Sequence, residues 1–380
     1  MPATNRKSQR KQIVVVHGES IHFSGAQIML GHFLDTAGPT LPIALAHVST
    51  PRLRKIIPQS VRAITLADNQ KFSLFSLIRQ IRSALTALRQ QNIAPAAIHG
   101  WTARDWELTA GLSLCLRVPG IGSLHDHPRA EFISRSRQRL MRLAAFCGIS
   151  RIVCVSEAVR TACIEVGFPP GQLACIHNGL PHAEVPLITH ASPSIPIRIG
   201  YLGALSSRKG LDALFIALNN MQTDSWNLTI AGAPMDKDGK EWLEVLKNRF
   251  RCSPWWSKVL WLGWIADSSR FFQNIDLLVL PSAQFDPFPT VLLEAARAGV
   301  PVLAANVGGV SEMLTHEETG WIIEPTNWSQ DAAIQLDRIV SKPNSLAIIG
   351  HAAKLRFQKD FTINKMVGRY AELYESLISP

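Results

Sequence analysis

The chain has 380 residues, of which 47% are hydrophobic and 18% are charged. This length and composition favour two well-packed domains and argue against intrinsic disorder. No apolar run approaches the roughly 20 residues that cross a bilayer, and the stretch Ile13 to Val16 is too short for a signal peptide. We therefore expect a cytoplasmic protein whose six cysteines, none in a CxxC pair, are buried free thiols.

Residues 1 to 11 form a basic, polar segment that we predict to be a disordered tail. Beyond it, short apolar runs alternate with helical patterns, which indicates a parallel sheet with helices on both faces. The predicted strands of the first half are Gln12 to Val16, Pro42 to Ala46, Ala97 to His99, Gly122 to Leu124, Arg151 to Val155 and Ala174 to Ile176.

Two predicted helices of this half, Phe72 to Gln91 and Ser134 to Phe146, are rich in arginine. The first 190 residues contain 21 basic and 10 acidic side chains, a formal charge of +11, whereas the remaining 190 contain 18 and 19, a charge of −1. The simpler interpretation is core-packed helices with solvated basic faces. The alternative is attraction to an anionic membrane surface, worth on the order of 1 kcal/mol per basic residue near the lipid. Nucleic acid is a poorer candidate, because no recognisable nucleic-acid module is present.

A second run of strands and helices follows the proline- and serine-containing segment Ala191 to Pro196, which predicts a linker. Its predicted strands are Ile197 to Tyr201, Trp226 to Ala231, Val259 to Leu262, Leu277 to Leu280, Pro301 to Ala304 and Trp321 to Ile323. The chain closes with a predicted amphipathic helix, Asn364 to Ile378.

The segment Asp286-Pro-Phe-Pro-Thr-Val-Leu-Leu-Glu294 is the most informative part of the sequence. Pro289 suits the first turn of a helix that Gly299 ends. The free amides of such a helix start bind phosphate, the carboxylate of Glu294 could accept from both hydroxyls of a ribose, and Asp286 could hold sugar hydroxyls. The plainer interpretation is an amphipathic helix with one solvated acid.

Further segments occur in the order in which they occur in one family. They are Ser24-Gly-Ala-Gln27, Ser123-Leu-His-Asp-His127, Val153 to Arg160, Ile176 to Leu180, Gly203-Ala-Leu-Ser-Ser-Arg-Lys-Gly210, Asp276 to Ser282, Val307 to Glu312 and Thr319 to Pro325. With the two acids, they make the chain resemble the retaining glycosyltransferases of family 4. The resemblance implies the α/β GT-B fold, in which two Rossmann-like parallel-sheet domains face each other across a cleft.

The resemblance also implies that the two domains bind different substrates. Residues 12 to 190 would form an acceptor-binding domain, residues 191 to 362 a nucleotide-sugar-binding domain, and residues 363 to 380 a helix that crosses back to the first domain. The partners would be a nucleotide-diphosphate sugar and a glycan or lipid-linked acceptor, in the synthesis of a surface polysaccharide or lipid-linked glycan.

Site residues follow from the matching positions. The expected catalytic residues are His125, Lys209 and Asp286. The expected donor-binding residues are Gly25, Gly203, Arg208, Lys209, Gly232, Gly263, Asp286, Phe288, Pro289, Thr290, Val291 and Glu294. A simpler interpretation of Gly232 and Gly263 is that they form tight turns, and a strand-end histidine such as His125 is more often a hydrogen-bonded core residue than a catalytic one.

The sequence departs from the family at two positions. Asp286 stands where the family has glutamate, and Ala204 stands where it has a phosphate-binding arginine, which Arg208 could replace. These departures keep open a second hypothesis, a catalytically degenerate protein that acts as a membrane-associated binding or scaffold protein.

No metal or other cofactor is expected. The Asp-x-Asp pair Asp236-Lys-Asp238 would suggest a metal-dependent transferase, but we interpret it as a solvated turn in a loop between Pro234 and Gly239. Lys209, Arg208 and the helix amides would then neutralise the departing diphosphate.

Overall fold

A computed structural model of the chain describes residues 11–18, 25–48, 51–66, 73–129, 133–182 and 195–378. It divides at Pro181 and Thr362 into two compact units. The first unit contains the described residues up to Pro181 together with those from Ile363 onward, and the second contains His182 to Thr362. Residues 1–10 of the predicted tail and residues 191–194 of the predicted linker lie outside the described residues.

The first unit is built on a parallel sheet of seven strands in the order β3-β2-β1-β4-β5-β6-β7. The strands are β1 (Gln12–His17), β2 (Ile43–Val48), β3 (Arg62–Leu66), β4 (Pro95–Gly100), β5 (Gly120–Leu124), β6 (Arg151–Cys154) and β7 (Leu173–Cys175). Its helices are α1 (Gly25–Ala37), α2 (Pro51–Ile56), α3 (Leu74–Gln90), α4 (Trp106–Leu116), α5 (Arg135–Gly148), α6 (Glu157–Glu165) and, from the end of the chain, α14 (Ile363–Ile378). Residues on both faces of the central strand β1 are buried, which explains its continuous apolar run.

One strand of this sheet was not predicted. β3 lies at the sheet edge, and three of its five residues are exposed. It begins with Arg62 and pairs only with β2, so its sequence lacks the apolar run that marks the buried strands. The prediction of six strands in this half was therefore one short.

The last helix is fixed to the first unit by a buried hydrogen-bond chain. The ring nitrogens of His99 on β4 lie 2.7 Å from the Tyr374 hydroxyl and 2.8 Å from the Ser123 hydroxyl. The Ser123 hydroxyl lies 3.1 Å from that of Tyr370. Because these buried polar groups satisfy one another, α14 is held against β4 and β5 in one register.

The second unit is built on a parallel sheet of six strands in the order β10-β9-β8-β11-β12-β13. The strands are β8 (Ile197–Leu202), β9 (Trp226–Ala231), β10 (Val259–Gly263), β11 (Leu277–Leu280), β12 (Val302–Ala305) and β13 (Trp321–Ile323). Its helices are α7 (Leu211–Asn220), α8 (Lys237–Phe250), α9 (Ser269–Gln273), α10 (Thr290–Ala298), α11 (Val310–Met313), α12 (Trp328–Ser341) and α13 (Asn344–Asp360). Both units are Rossmann-like, so the predicted α/β fold class is confirmed.

The six cysteines are free, as predicted. The prediction that they are buried holds for Cys154 and Cys163, holds only in part for Cys175, which is half-buried, and is wrong for Cys115, Cys147 and Cys252, which are exposed. The exposed three lie at or just beyond the carboxyl ends of helices, where an apolar sequence context does not imply burial. Among the described residues, no helix combines the length and apolarity needed to cross a membrane.

The buried histidine of the hydrogen-bond chain makes the stability of the first unit depend on pH. Burial, reinforced by the charge of His125, lowers the pKa of His99 from 6.5 to about 3. The folded protein thus keeps His99 neutral, whereas the unfolded chain protonates it below pH 6.5. The contribution of neutral, buried His99 to the free energy of unfolding is therefore complete above pH 6.5. It is lost as the pH falls from 6.5 towards the pKa of about 3 that His99 has in the folded protein.

We expect His99 to contribute a loss of about 2 kcal/mol of unfolding free energy between neutral pH and about pH 5, in addition to any contribution from other buried histidines. Melting temperatures of the wild type and of His99→Gln, recorded across this range, test the expectation. The variant should melt lower at every pH, because it loses hydrogen bonds, but with a flatter dependence on pH. Parallel curves for the two proteins would show that His99 is not the titrating group.

Candidate functional site

Three of the expected donor-binding residues are neighbours at the carboxyl edge of the second sheet. Gly203, Gly232 and Gly263 follow or end β8, β9 and β10. The Gly232 amide donates to the Gly263 carbonyl at 2.8 Å, and a Cβ on Gly232 would lie 1.8 Å from the Gly203 carbonyl oxygen. With a φ of 142°, Gly232 is a position that only glycine fills without strain. The glycines therefore form a tight, side-chain-free rim at the strand ends.

The loop after β8 docks on the loop after β11. The Ala283 amide donates to the Arg208 carbonyl at 2.9 Å. The ammonium group of Lys209 forms an ion pair with the carboxylate of Asp286, which also accepts from the Ser282 hydroxyl at 3.3 Å. Both charged side chains are largely buried, which strengthens their attraction. Two residues that the sequence assigns to the donor phosphate and the donor sugar are thus in direct contact.

The loop after β12 supports the same acid from its other side. The Gly309 amide donates to the Asp286 carbonyl at 3.0 Å, and a Cβ on Gly308 would lie 1.9 Å from that oxygen. Glycine is therefore required at position 308 of the Val307-Gly-Gly segment, because any side chain there would displace Asp286. The loops after β8 and β12 therefore both contact Asp286, which lies in the loop after β11: the first through its carboxylate and the second through its backbone carbonyl.

The amino end of α10 follows Asp286 directly. Phe288 and Pro289 are buried, and Phe288 packs against Phe361 with ring centroids 6.0 Å apart. Helix α10 begins at Thr290, and no side chain caps it from the Pro289 position. The first amides of the helix, at Thr290 and Val291, therefore point along the helix axis towards its positive end, as an anion site requires.

Glu294 lies one turn further along α10. Its carboxylate accepts a hydrogen bond from the Ser268 hydroxyl, which comes from the loop between β10 and α9. Burial raises the pKa of Glu294, while the Ser268 hydrogen bond and the charge of Arg297 partly offset the shift. The second acid is therefore oriented and partly desolvated, and not the solvated acid of the plainer interpretation. Ser268 was not singled out in the sequence, since a serine in a loop carries no pattern.

The remaining predicted residues of this loop are less constrained. Arg208 is exposed. Ala204 is partly buried, and its carbonyl accepts from the Tyr201 hydroxyl at 3.2 Å. The contact that an arginine at position 204 would supply is thus absent, and Arg208 as its replacement stays a prediction.

The Asp-x-Asp pair is exposed, as a solvated pair should be, and Asp236 precedes α8, but the prediction of a loop is wrong for Asp238, which lies in that helix. Asp236 is the N-cap of α8, and its carboxylate accepts from the Gly239 amide at 2.8 Å. A short polar side chain three residues before a helix amide explains the aspartate as a capping residue. Asp238 lies in the first turn of the helix, where an acid complements the helix dipole.

In the first unit, His125 follows β5 and its ring lies 5.4 Å from that of Trp101. Burial and the nearby His17 lower the pKa of His125 to about 4, so the ring is neutral at physiological pH. Its Nε2 atom is buried and has no hydrogen-bond partner among the described residues. Of its neighbours, Asp126 is exposed, whereas His127 is buried and accepts from the Arg129 amide at 3.0 Å, which gives it a place in the turn.

A second polar group lies at the same edge of the first sheet. Asp105 accepts from the Gly18 amide and from the amide and hydroxyl of Thr102, and lies 3.4 Å from Nδ1 of His17. Hydrogen bonds from these groups outweigh the effect of burial and lower the pKa of Asp105. Asp105 was not predicted, because it is 88 residues from His17 in sequence.

The start of α1 lies beside this group. Gly25, the expected donor-binding glycine, is the first residue of α1, and Ser24 before it lies outside the described residues. The amide group of Gln27 lies 3.5 Å from Nε2 of His17. The indole of Trp101 donates to the Ala26 carbonyl at 2.8 Å. The expected residues of the first unit therefore lie within one connected set of contacts.

Family models of known proteins match each of the two units. Residues 9–184 match the model of the Glycosyltransferase Family 4 and residues 189–356 match that of the Glycosyl transferases group 1. An uncharacterized glycosyltransferase of Methanocaldococcus jannaschii is 27% identical over 352 residues, which cover 86% of each chain. The lipopolysaccharide core biosynthesis mannosyltransferase LpsB of Rhizobium meliloti is 29% identical over 185 residues, which cover 47% of this chain and 52% of that protein.

Among solved structures, Anabaena HepE in complex with UDP-glucose superposes with a TM-score of 0.81 at 21% identity, covering 96% of this chain and 100% of that one. The likeness shows a shared GT-B fold. Together the two family models account for nearly the whole described chain. The chain belongs to the family 4 glycosyltransferases.

Proposed function

We propose that this protein transfers a sugar, with retention, from a nucleotide-diphosphate sugar to a hydroxyl of a glycan or lipid-linked acceptor. The observation that carries the proposal is the convergence of Lys209, Asp286 and the uncapped start of α10 at one edge of the second sheet. A cation, a carboxylate and a set of helix amides within one small region are what a sugar diphosphate needs for binding.

The proposed roles follow the chemistry of each group. Lys209, with Arg208 beside it, neutralises the distal phosphate, and the amides at Thr290 and Val291 bind the diphosphate. Asp286 holds the donor sugar, and Glu294 accepts from the ribose hydroxyls. The glycine rim at Gly203, Gly232 and Gly263 lets the nucleotide approach the backbone closely. The leaving diphosphate is stabilised by these groups alone, so the scheme requires no metal ion.

The chemical step follows from retention. The bond between the sugar C1 and the phosphate oxygen breaks, and the acceptor hydroxyl attacks the face that the diphosphate leaves. A phosphate oxygen of the departing nucleotide takes the acceptor proton, so charge is balanced without a protein base. The ion pair of Lys209 with Asp286 in the unliganded protein would be shared with the phosphate when the donor binds, which keeps both groups oriented beforehand.

The acceptor belongs to the first unit in this proposal. The relative LpsB is a lipopolysaccharide core mannosyltransferase, which supports an acceptor in surface polysaccharide or lipid-linked glycan synthesis. We propose that an anionic membrane surface is the further partner of this unit. Helices α3 and α5 contain no acidic residue, and their exposed side chains include Phe75 at 77% and Phe146 at 89% exposure.

The exposed faces of these two helices combine apolar and cationic side chains. On α3 they include Leu74, Ile78, Arg79, Arg82 and Arg89, and on α5 Arg135, Arg139, Arg142 and Leu143. Large apolar groups that enter the lipid surface beside arginines that contact its phosphates are typical of interfacial helices. A face that only needed solvation would not expose two phenylalanines.

Removal of either of two charged side chains proposed to bind the nucleotide sugar should abolish transfer. We expect Lys209→Ala and Glu294→Ala to lower turnover at least about 100-fold, because each removes a charge aimed at the nucleotide. Asp286 keeps its hydrogen bond from Ser282 in the first variant, so the protein should still fold. Turnover is measured as release of nucleoside diphosphate, with and without acceptor, after a thermal-shift screen of uridine, guanosine and adenosine diphosphates has identified the donor base.

Two exposed residues of α8 provide matched controls. Lys237→Ala and Glu241→Ala make the same chemical changes at side chains that are 87% and 67% exposed, and should leave turnover unchanged. Near-normal turnover in Lys209→Ala or Glu294→Ala would contradict the assignments. Nucleotide binding by the wild type without any donor hydrolysis or transfer would favour the degenerate scaffold protein.

Ser268→Ala should weaken nucleotide binding about fivefold, or about 1 kcal/mol, since the Glu294 carboxylate loses the hydroxyl that orients it and favours its charged form. Calorimetric titration of the nucleoside diphosphate measures the effect. Ser269→Ala is the control, because that neighbouring hydroxyl donates to Asp267 at 2.7 Å. Equal affinities for the two variants would count against ribose binding by Glu294.

Binding to lipid is tested by sedimentation with vesicles. The wild type should sediment with vesicles of anionic phosphatidylglycerol and not with neutral phosphatidylcholine, and binding should fall as salt is added. Phe75→Ser with Phe146→Ser should reduce binding at least about tenfold, because the two aromatic side chains proposed to enter the lipid are lost. Val245→Ser, at an exposed apolar residue of the second unit, should bind as the wild type does. Equal binding by all three proteins would exclude this surface.

A further inference from the structure

One buried carboxylate of the first unit accepts more hydrogen bonds than its local position explains. Asp105 is 2% exposed and lies in the turn between β4 and α4. Its Oδ2 atom accepts from the amide of Thr102 at 2.8 Å and from the hydroxyl of Thr102 at 2.7 Å. An acid three residues after a threonine at the start of a helical turn is a capping arrangement, and one carboxylate oxygen is enough for it.

The other oxygen of Asp105 binds a distant part of the chain. Oδ1 accepts from the Gly18 amide at 2.5 Å, although Gly18 is 87 residues away in sequence. Gly18 follows β1 and the turn with Asp105 follows β4, so the two meet because β1 and β4 are neighbours in the sheet. The capping arrangement does not require this bond. Asp105 therefore also fixes the end of β1.

The imidazole of His17 extends these contacts to α1. Its Nδ1 atom lies 3.4 Å from Oδ2 of Asp105, and its Nε2 atom lies 3.5 Å from the side-chain nitrogen of Gln27 on α1. All three side chains are buried. The carboxylate thus contacts the end of β1 at Gly18 directly and reaches the first turn of α1 through the ring of His17.

Asp105 is ionised, which makes its hydrogen bonds strong. Burial by itself would raise the pKa of Asp105, but hydrogen bonds from His17, the Gly18 amide and Thr102 outweigh burial and lower the pKa. Hydrogen bonds to an ionised acceptor are roughly twice as strong as those between neutral groups. An uncharged side chain of the same shape would therefore hold Gly18 less firmly.

We propose that Asp105 is a positioning residue for the reaction of the nucleotide sugar. It holds the end of β1 and the start of α1 in one arrangement, so that Gly25, the first residue of α1, is presented to the sugar at a fixed place. The inference rests on the proposed transferase function. It adds that the substrate-binding edge of the first unit is preorganised by a buried side chain.

The test is a double-mutant cycle of Gly18→Ala and Asp105→Asn. In Gly18→Ala the new Cβ would lie 3.1 Å from Oδ1 of Asp105, so the amide is displaced from the carboxylate. In Asp105→Asn an NH2 group faces the donor of either Gly18 or Thr102, whichever way the amide is turned.

The activity measured is hydrolysis of UDP-, GDP- and ADP-hexoses without acceptor, so that the acceptor need not be known. Each single variant should lower kcat about tenfold. Affinity for the nucleoside diphosphate, which lacks the sugar, should be unchanged. Because both changes break one contact, their effects on kcat should be less than additive in the double variant. Additive losses, or a kcat unchanged by Gly18→Ala, would overturn the proposal.

Thr102→Val is the matched control. It removes the hydroxyl that donates to the same carboxylate but leaves the bond from Gly18. Asp337→Asn is a second control, because Asp337 accepts from the amide and the hydroxyl of Thr223 at 2.8 and 2.6 Å in the second unit. Both controls should lower the melting temperature and leave kcat unchanged. An equal loss of kcat in Thr102→Val would show that Asp105 acts only as a capping residue.

Hydrogen exchange of the Gly18 amide tests the contact in the wild type, whether or not the variants fold. The amide should be protected, because it donates to a buried carboxylate. Exchange as fast as that of an exposed amide would overturn the inference. If the wild type hydrolyses none of the nucleotide sugars, the proposed function fails and the role of Asp105 in the reaction fails with it, whereas a protected Gly18 amide would still show that the contact exists.

Discussion

A lysine and an aspartate 77 residues apart form an ion pair at the carboxyl edge of the second sheet. This contact exists only because β8 and β11 are neighbours in the sheet, so that the loops after them leave from adjacent points. Parallel strands place all their carboxyl ends at one edge. The glycine rim, the loop at Gly308 and the start of α10 all depend on that constraint, since each follows a strand of the same sheet.

The first unit applies the same constraint to different side chains. β1 and β5 both pair with β4, and His17, Trp101 and His125 end or follow these three strands. Here imidazole and indole rings and one buried acid, Asp105, that accepts several hydrogen bonds take the place of the ion pair of the second unit. The difference suits the two proposed tasks, because a diphosphate requires positive charge and an acceptor sugar requires oriented hydrogen-bonding groups. Helix α14 packs against the same strands through the hydrogen bonds that connect Tyr374, His99 and Ser123.

Most strands and the conspicuous helices could be predicted from the sequence. All six strands of the second unit were found within about two residues of their ends, because each is rich in apolar residues and lies between turn residues. This holds even for β10, an edge strand without a buried residue, whose sequence Val-Leu-Trp-Leu is apolar. The same rule missed β3, an edge strand with a largely exposed sequence. Turn chemistry also placed Asp238 in a loop, because an aspartate in a turn and an aspartate in the first turn of a helix look alike until the following helix is known.

The sequence by itself determined the fold class, the order of its elements and the family, because apolar periodicity and strand-end motifs are local properties of the chain. It also singled out Lys209, Asp286, Glu294 and His125, though not their partners. Only the tertiary structure decided that Lys209 contacts Asp286, that Ser268 orients Glu294 and that the ring of Trp101 packs against that of His125. These pairs come from segments far apart in sequence, and strand order, which no local pattern encodes, brings them together.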